Sequence, residues 1–321
     1  MGKLAQTDNP VAEPDRASFS NIISLYFFAT RPAFLYATFL ACMLGIVSAV
    51  NSGVLIQPLI AVIAALLALL VHAGVNVLND YFDALNGTDA ENDERLYPFT
   101  GGSRFIQNGV LTLAQTKVFG YMLLAVAMFG GLWLTFQLSH GLLLLGTIGI
   151  LIGWAYSASP LRLNSRGLGE LCVLLGFLGI VIGADFVQRR SFSFEPVLIG
   201  MPYALLVTNL LYINQFPDRQ ADARAGKHHL VVRLPLNLAV WVYFLIALLA
   251  LLWTIAIVTS GYLPEKALLS ALPLLLSARA FWLLLQFAAK PEKLLPAIKL
   301  TLASMQSHAL LLTLIMLWNT L

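Results

Sequence analysis

Charged residues are scarce in this chain of 321 residues. Asp, Glu, Lys and Arg together make up 11% of it, whereas hydrophobic residues make up 59% and the mean hydropathy is +0.81. A water-soluble protein of this length carries far more charge on its surface. The composition therefore excludes an ordinary soluble domain. The net charge of +3 says little about partners, because most of it follows from membrane topology, and we expect no nucleic-acid partner.

Cysteine is almost absent as well. Its two copies, Cys42 and Cys172, both lie inside apolar runs. This usage excludes a disulfide framework and a zinc-binding pattern, and we interpret both residues as small buried hydrophobic side chains. The sequence also lacks a glycine-rich dinucleotide motif, a Walker loop and a Ser-His-Asp set.

The first residues of the chain are polar and of mixed charge. Residues 1–20 contain no short apolar core of the kind that a cleaved signal peptide needs. We interpret them as a disordered cytoplasmic tail and residues 21–321 as a single transmembrane domain.

Long apolar runs dominate the rest of the sequence. Stretches of about 20 residues, the length that crosses about 30 Å of hydrocarbon, recur along it. We predict an all-α, polytopic membrane protein with about nine transmembrane helices. The predicted spans lie near residues 33–50, 55–82, 116–137, 141–157, 168–187, 196–216, 237–259, 267–288 and 295–318.

Lys and Arg are concentrated in alternate loops, those after the second, fourth, sixth and eighth predicted spans. Because cytoplasmic loops are enriched in these residues, we place these loops and the N-terminus in the cytoplasm, with the protein in the inner membrane of the cell. Arg189 and Arg190 break this trend on the opposite side. We interpret them as side chains that reach the outer interface.

Acidic side chains gather at the C-terminal end of the second predicted span. The string NVLNDYFDALNGTD contains Asn76, Asn79, Asp80, Asp83 and Asp89. Spacings of four and three residues place the first amide and the two helical aspartates Asp80 and Asp83 on one face, and the Asn-Gly turn lets Asp89 fold back toward them. An ordinary helix end is the alternative, but two negative charges there oppose the helix dipole.

A second acidic cluster ends the sixth predicted span. Asn214, Asp218 and Asp222 follow one another at four-residue spacing and so share a helix face. Pro217 lies among them without a backbone proton to donate, so we expect a kink or a restart of the helix there. A broken helix at membrane depth usually lines a cavity, and a plain kinked helix end is the alternative.

Two acidic clusters on separate helices can face each other across a cavity, where their charge needs cations. Mg²⁺ binds a few carboxylates together with substrate phosphate oxygens. We therefore predict that Asp80, Asp83, Asp218 and Asp222 hold Mg²⁺ beside a substrate diphosphate.

Basic residues near both clusters fit the same substrate. Arg104 follows a Gly-Gly-Ser turn, and Lys227 follows Gly226 five residues after Asp222. Each can neutralise diphosphate oxygens, although an anchor on the cytoplasmic side is an equally good interpretation. Arg31, before Pro32, is ambiguous in the same way.

Two further side chains have a functional and an ordinary interpretation. His72 lies four residues before Asn76, and it can bind an aromatic acceptor or accept a proton; a packed, hydrogen-bonded histidine is the more ordinary interpretation. Tyr156 ends the fourth span and can donate to a phosphate or, with Tyr81 and Phe82, stabilise a cation through its ring face. An interfacial tyrosine is the alternative.

The paired acidic motifs resemble those of a known family. NDYFDALNGTD resembles the first aspartate-rich motif of the UbiA superfamily of intramembrane prenyltransferases, and FPDRQADARAGKHHLVVRL resembles the second. YSASPLRLNSRGLGEL is similar to the family segment between the fourth and fifth helices, so the resemblance covers roughly residues 25–315. It implies nine transmembrane helices around a central cavity that opens sideways to lipid.

The resemblance also implies roles for the acidic and polar residues. Those implied to hold Mg²⁺ and an isoprenyl diphosphate are Asn76, Asp80, Asp83, Asp218 and Asp222. The other candidate substrate-binding residues are Asn79, Asp89, Arg104, Tyr156, Asn214 and Lys227.

Within the family, the Gly-Gly-Ser-Arg and RGLGEL segments are most similar to the branch that prenylates 1,4-dihydroxy-2-naphthoate in menaquinone synthesis. The resemblance thus implies Mg²⁺-dependent transfer of an isoprenyl chain from a prenyl diphosphate to an aromatic acceptor within the lipid bilayer. The alternatives are another acceptor, such as 4-hydroxybenzoate or a glycerol phosphate, and a cation transporter, since transporters also use broken helices and internal repeats.

Overall fold

The computed structural model describes residues 12–89 and 92–320, with eleven α-helices in these ranges. The helices are α1 (Ile22–Ala29), α2 (Pro32–Asn51), α3 (Pro58–Leu85), α4 (Leu113–Gln137), α5 (Gly141–Ser157), α6 (Gly169–Arg189), α7 (Glu195–Arg224), α8 (Leu230–Arg233), α9 (Leu236–Thr259), α10 (Leu274–Phe287) and α11 (Leu295–Thr320). Short 3₁₀ turns at Arg16–Ser18, Leu163–Arg166, Glu265–Ala271 and Pro291–Lys293 complete the described secondary structure.

The helices confirm an all-α, polytopic membrane protein. Among the described residues, eight helical segments are long and apolar enough to cross a membrane: α2, α3, α4, α6, α7, α9, the segment Glu265–Phe287 and α11. The remaining predicted span, the fourth at residues 141–157, corresponds to α5, which is apolar but has 17 residues. At 1.5 Å per residue α5 is about 25 Å long, slightly shorter than the hydrocarbon layer.

The main hydrophobic core lies on one side of the bundle, where α7 packs with α2, α9, α10 and α11. Tyr203 and Tyr212 of α7 are fully buried there. Their hydroxyls donate to the carbonyl oxygens of Ala37 at 2.7 Å and Ala239 at 3.0 Å. Buried hydroxyls need such partners, so these two bonds fix the rotation of α7 and the direction of its acidic face.

Gly45 allows α2 and α6 to cross at close range. A Cβ atom at this position would lie 2.7 Å from Cβ of Ala184 and would overlap the carbonyl oxygen of Val181. Small residues permit this kind of close approach between transmembrane helices. The contact anchors α6 to the core side of the bundle, and Ala184 itself also lines the cavity described below.

The acidic helix α7 continues through Pro217. It runs from Glu195 to Arg224 with Pro202 and Pro217 inside it, so the restart that the sequence suggested does not occur. Membrane helices tolerate proline where neighbouring elements hold the chain. Here the buried side chain of Phe216 packs in the main core, and the helix keeps its register across the acidic cluster.

The segment before α1 is held against the loop that follows α3. Nε of Arg95 donates to Oε1 of Glu13 at 2.7 Å, and the rings of Phe19 and Phe105 are 5.4 Å apart. These contacts differ from the disordered tail predicted for residues 1–20, because the polar start of the chain has a basic partner in that loop. The first eleven residues of the predicted tail lie outside the described residues.

Arg189 closes the bundle at the end opposite the acidic clusters. Its guanidinium donates to both carboxylate oxygens of the buried Asp185, at 2.8 and 2.9 Å, and to Oε2 of Glu195 at 2.8 Å. It also donates to Oγ of Ser52 at 2.7 Å. This arginine therefore joins the ends of α2, α6 and α7, a structural role in addition to the interfacial position predicted from the sequence.

Candidate active site

A cavity of about 610 Å³ lies among α2 to α7. The lining is mostly apolar along α4, α5 and α6, and it becomes polar where α3 and α7 end. No described residue of α9, α10 or α11 belongs to the lining. The cavity is therefore displaced from the main hydrophobic core toward the α3–α6 side of the bundle.

Most candidate residues from the sequence analysis line this one cavity. Those that do are Asn76, Asn79, Asp83, Asp89, Tyr156, Asn214, Asp218, Asp222 and Lys227. Asp80 and Arg104 are outside its lining. The two acidic clusters, separated by more than 120 positions in the chain, thus face each other across shared space.

Lys227 connects the two clusters. Its Nζ lies 3.1 Å from Oδ2 of Asp83 on α3 and 3.8 Å from Oδ1 of Asp222 on α7. Gly226 before it has a φ of +74°, a conformation that glycine adopts readily, and the turn directs the lysine back over the end of α7. Burial opposes the ammonium charge, but Asp222 and Asp83 outweigh it and raise the pKa of Lys227 well above its usual value.

Asn79 and Asp83 form the cavity-facing part of the first cluster. Nδ2 of Asn79 donates to Oδ2 of Asp83 at 3.0 Å and to Oγ of Ser157 at 2.9 Å. Nδ2 of Asn76 donates to the carbonyl oxygen of Thr30 at 3.1 Å. These bonds connect the acidic end of α3 to the ends of α5 and α1.

Asp80 has a different position from the one that its spacing suggested. Its carboxylate is buried, forms an ion pair with Arg31 and accepts a bond from the backbone N–H of Ser103 at 3.2 Å. Consecutive side chains of a helix point in directions that differ by about 100° around its axis. Asp80 therefore points away from the cavity side that Asn79 faces and toward the start of α2. Arg31 itself lines the cavity, and its backbone has a φ of +57°.

The glycine turn after the first motif contacts both clusters. The N–H of Gly101 donates to Oδ2 of Asp218 at 3.2 Å. A Cβ atom at Gly102 would lie 2.9 Å from Cγ of Asp89, so only glycine permits this approach. Burial, together with the carboxylates of Asp83 and Asp80, raises the pKa of Asp89 to about 8; a cation beside these acids would offset their repulsion.

Asp218 and Asp222 each have a specific polar partner. Nδ2 of Asn92 donates to Oδ1 of Asp218 at 2.6 Å. Nε2 of His229 lies 2.8 Å from Oδ2 of Asp222, and this imidazole is almost fully buried. These neighbours orient the carboxylates, as hydrogen-bond partners commonly do for the acids that bind a metal.

Arg104 is occupied by contacts outside the cavity. Its guanidinium donates to the carbonyl oxygen of Asp89, and its Nε lies 3.7 Å from Oε2 of Glu13. Burial, with Arg95 nearby, lowers its pKa from the usual value. In this arrangement the side chain stabilises the loop after α3, and Arg31 is the arginine that reaches the cavity.

The oxygen atoms that line the cavity suit a hard divalent cation whose coordination is shared with a substrate. The amide oxygens of Asn92, Asn214 and Gln215 are buried without a hydrogen-bond partner, and all three side chains line the cavity. Amide and carboxylate oxygens are the ligands that Mg²⁺ takes in proteins. Within the described part of the chain, no three acidic, His or Cys side chains enclose a metal position by themselves, so substrate oxygens would have to complete the coordination.

Some residues that line the cavity or hold its acids were not predicted, because they belong to no motif or spacing pattern in the sequence. Asn92, Gln215 and Asn164 line the cavity, and His229 supports Asp222. The ring of Tyr156 lines the cavity, but Tyr81 and Phe82 do not.

Tyr81 and Phe82 therefore differ from the cation-stabilising role suggested for them. The cavity-facing positions of α3 recur every three or four residues, through His72, Asn76, Asn79 and Asp83, as one face of a helix requires. Tyr81 lies off this face, with Nζ of Lys117 at 6.0 Å from its ring.

Comparison with known sequences identifies the family to which this site belongs. Residues 37–306 match the UbiA prenyltransferase family. The chain belongs to the UbiA prenyltransferase family. It is accordingly a prenyltransferase and an integral membrane protein, and the transporter alternative is set aside.

Relatives within the UbiA family agree in sequence and in fold. The chain is 26% identical over 240 residues to the 1,4-dihydroxy-2-naphthoate octaprenyltransferase of Bacillus subtilis, covering 72% of this chain and 73% of the relative. It is 31% identical over 211 residues to the Escherichia coli enzyme of the same name, covering 64% and 66%. A UbiA homologue from Archaeoglobus fulgidus, solved with DMAPP and Mg²⁺, superposes with a TM-score of 0.62 at 14% identity, covering 90% of this chain and 99% of that one.

Proposed function

We propose that this protein transfers an isoprenyl chain from a prenyl diphosphate to the aromatic acceptor 1,4-dihydroxy-2-naphthoate, with Mg²⁺ as cofactor. The observation that carries the proposal is the pair of acidic clusters that face one apolar cavity and are joined by Lys227. The names of the bacterial relatives support the choice of acceptor. The DMAPP and Mg²⁺ bound by the archaeal homologue support the donor and the metal.

The proposed diphosphate site lies between α3 and α7. Asn79, Asp83 and Asp89 would hold Mg²⁺ from one side, and Asp218 and Asp222 from the other. When bound, the metal would neutralise the departing diphosphate and so favour cleavage of the bond to the prenyl carbon. Asp80 acts here through Arg31, which it holds beside the cavity.

Cationic side chains would bind the diphosphate oxygens. Lys227 already lies between the clusters, and Arg31 reaches the same end of the cavity. Charge-assisted hydrogen bonds of this kind are about twice as strong as neutral ones. In this proposal Arg31 takes the role that the sequence suggested for Arg104.

The apolar part of the cavity would hold the prenyl chain and exclude water. Positive charge develops at the first prenyl carbon as the diphosphate leaves, and water would capture it. Tyr156 lines the cavity near Asp83 and Lys227, and the face of its ring would stabilise that charge by about 1–2 kcal/mol. The electron-rich ring of the acceptor then attacks this carbon, and the ring regains its aromaticity when it loses carbon dioxide or when a base removes the ring proton.

The distribution of Lys and Arg supports one orientation. We propose that the acidic end of the bundle, including the loop after α3 and the loop after α7, faces the cytoplasm at the inner membrane, because the basic loops lie at that end. Both water-soluble parts of the reaction, Mg²⁺ and diphosphate, would then be exchanged on the cytoplasmic side.

Product analysis with purified protein tests the proposal. The protein in detergent is given a mixture of farnesyl, geranylgeranyl and octaprenyl diphosphates with either 1,4-dihydroxy-2-naphthoate or 4-hydroxybenzoate, and products are identified by mass spectrometry. We expect prenylated naphthoquinol product that disappears with EDTA and returns with Mg²⁺. Product from 4-hydroxybenzoate alone would overturn the acceptor, and full turnover in EDTA would overturn the metal.

A further inference from the structure

We propose that His72 binds a hydroxyl group of the aromatic acceptor through Nε2, in a subsite where Thr38 and Phe177 hold its imidazole. This inference rests on the proposed prenyl transfer and adds the residue that recognises the acceptor. It concerns a side chain that takes no part in holding the metal or the diphosphate.

The orientation of the imidazole is fixed from two sides. Oγ1 of the fully buried Thr38 lies 2.7 Å from Nδ1 of His72. The ring of Phe177 meets the imidazole edge to face, with 5.6 Å between the centroids and 87° between the planes. Since Nδ1 is engaged by Thr38, Nε2 is the nitrogen left for the cavity that His72 lines.

The surroundings of His72 select an aromatic ligand with a polar substituent. Its neighbours on the cavity face of α3 are Ala68, Val71, Val75 and Asn76, and the amide nitrogen of Asn76 already donates to Thr30. Ala37 and Phe177 line the cavity from α2 and α6. A polar nitrogen in such a wall is stabilised only by a hydrogen-bonding partner. A hydroxyl of the acceptor supplies one, whereas a prenyl chain has none to offer.

The distance to the diphosphate site suits the same ligand. His72 lies seven residues before Asn79, which corresponds to about 10 Å along the helix axis. A fused two-ring phenol fits between this histidine and the proposed diphosphate ligands, with a ring carbon directed at the prenyl carbon that is attacked. In the tautomer assigned by this inference Nδ1 carries the proton and donates it to Thr38, so Nε2 accepts a hydrogen bond from the hydroxyl. That bond also increases electron density in the acceptor ring, which favours the attack.

Kinetics of His72 variants test the subsite. For His72→Phe we expect the KM for the acceptor to rise on the order of tenfold, the loss of about one good hydrogen bond, with the KM for the prenyl diphosphate unchanged. Thr38→Val should give a smaller change in the same direction. For the wild type, an acceptor analogue with a methoxy group in place of the bound hydroxyl should have a KM that is raised by the same factor. The His72→Phe variant should show the same KM for the acceptor and for this analogue.

His308 on α11 provides a matched control. It is a buried histidine outside the cavity lining, with Nδ1 2.7 Å from the carbonyl oxygen of Ser270. His308→Phe therefore removes a comparable buried bond, and we expect it to change thermal unfolding without changing either KM. His72→Leu, which also lacks a hydrogen-bonding group, serves if the Phe variant does not fold.

The outcomes separate this inference from the proposed function. A wild-type KM for the acceptor in both His72 variants, or an equal rise in the KM of both substrates, would overturn the subsite while prenyl transfer itself stood. If the wild-type protein prenylates no hydroxylated aromatic compound, the proposed function fails first.

Discussion

Nζ of Lys227 lies 3.1 Å from Oδ2 of Asp83, so a residue that follows α7 is bonded to the acid of α3. The same ammonium lies 3.8 Å from Asp222. Each acidic helix end thus contributes to a single charged centre, although the two motifs are distant in the chain. A prenyl diphosphate entering this centre would meet a cation that is already in place between the carboxylates.

Removal of this cation should impair donor binding most. We expect Lys227→Gln to lower kcat/KM for the prenyl diphosphate roughly 30- to 1000-fold, which corresponds to a loss of about 2–4 kcal/mol in transition-state stabilisation. The reason is that the substitution removes a buried charge with hydrogen-bonded partners. Lys227→Arg should recover part of the activity. Lys290→Gln, at an exposed lysine after α10, is the control. A Lys227→Gln enzyme within threefold of the wild type would contradict the assigned role.

Asp80 and Asp83 should differ in how their loss affects the metal. Asp83 lines the cavity, whereas Asp80 is paired with Arg31 outside it. We expect Asp83→Asn to raise the Mg²⁺ concentration needed for half-maximal activity by at least about tenfold, the lower range seen for weakened metal sites. Asp80→Asn should leave that concentration unchanged and raise the KM for the diphosphate, since Arg31 loses its counter-ion.

Titration of activity with Mg²⁺ at saturating donor distinguishes the two aspartates. Thermal unfolding of each variant in detergent provides the control for folding. If Asp80→Asn shifted the Mg²⁺ requirement as strongly as Asp83→Asn, Asp80 would be a metal ligand, as the spacing alone first suggested.

Spacing rules predicted the helices and most of the cavity-facing polar residues. Asn214, Asp218 and Asp222 follow one another at one helical turn, and all three line the cavity. A local rule of this kind needs only the 3.6-residue period. It places side chains on a face but does not reveal which neighbour they meet.

The partners came from outside the local sequence. Asp80 meets Arg31, which is 49 positions earlier and depends on a left-handed backbone conformation. Asn92 reaches Asp218 from a loop with no regular period. Arg104 is withdrawn from the cavity by Glu13 and Asp89. Contacts of this kind depend on tertiary packing, which propensity and spacing do not encode.

The glycines of α5 and α6 should determine how long a prenyl chain the cavity can accommodate. Gly149 and Gly179 line the apolar part of the cavity, and an added Cβ atom at either position would meet nothing within 4 Å. We expect Gly149→Leu and Gly179→Leu to fold, since the side chain enters open space and the helix gains about 0.5–1 kcal/mol when glycine is replaced. Both variants should favour shorter donors, because leucine occupies space near the distal isoprene units.

Competition between donors measures this effect. Equal concentrations of farnesyl, geranylgeranyl and octaprenyl diphosphates are supplied together, and the product ratio is read by mass spectrometry. Leu249→Phe, which adds bulk at an outward position of α9 that is 54% exposed, should leave the ratio unchanged. An unaltered ratio in both glycine variants would mean that the chain leaves the cavity before it reaches α5 and α6.

Arg189 should matter for stability and not for catalysis. It holds both oxygens of Asp185, whose side chain is 1% exposed, while the arginine is 16% exposed. Removing one partner of a buried pair leaves an uncompensated charge, and after allowance for solvent around the arginine we expect Arg189→Gln to cost about 2–3 kcal/mol. Asp185 lies 15 residues along α6 from Glu170, which is at the end of the bundle with the acidic clusters. This spacing corresponds to about 22 Å along the helix axis, so the KM values for both substrates should not change.

Thermal unfolding with a double variant tests this assignment. Arg189→Gln should lower the unfolding temperature by several degrees, and Arg189→Gln combined with Asp185→Asn should recover much of the loss, because the buried carboxylate is then neutral. Arg190→Gln is the matched control, since Arg190 makes only a 3.4 Å bond to Gln57 among its described contacts. The two residues would not act as a pair if the destabilisation of the double variant equalled the sum of those measured for Arg189→Gln and Asp185→Asn alone. The closure of the bundle at this end would then depend on the bonds of Arg189 to Ser52 and Glu195 instead.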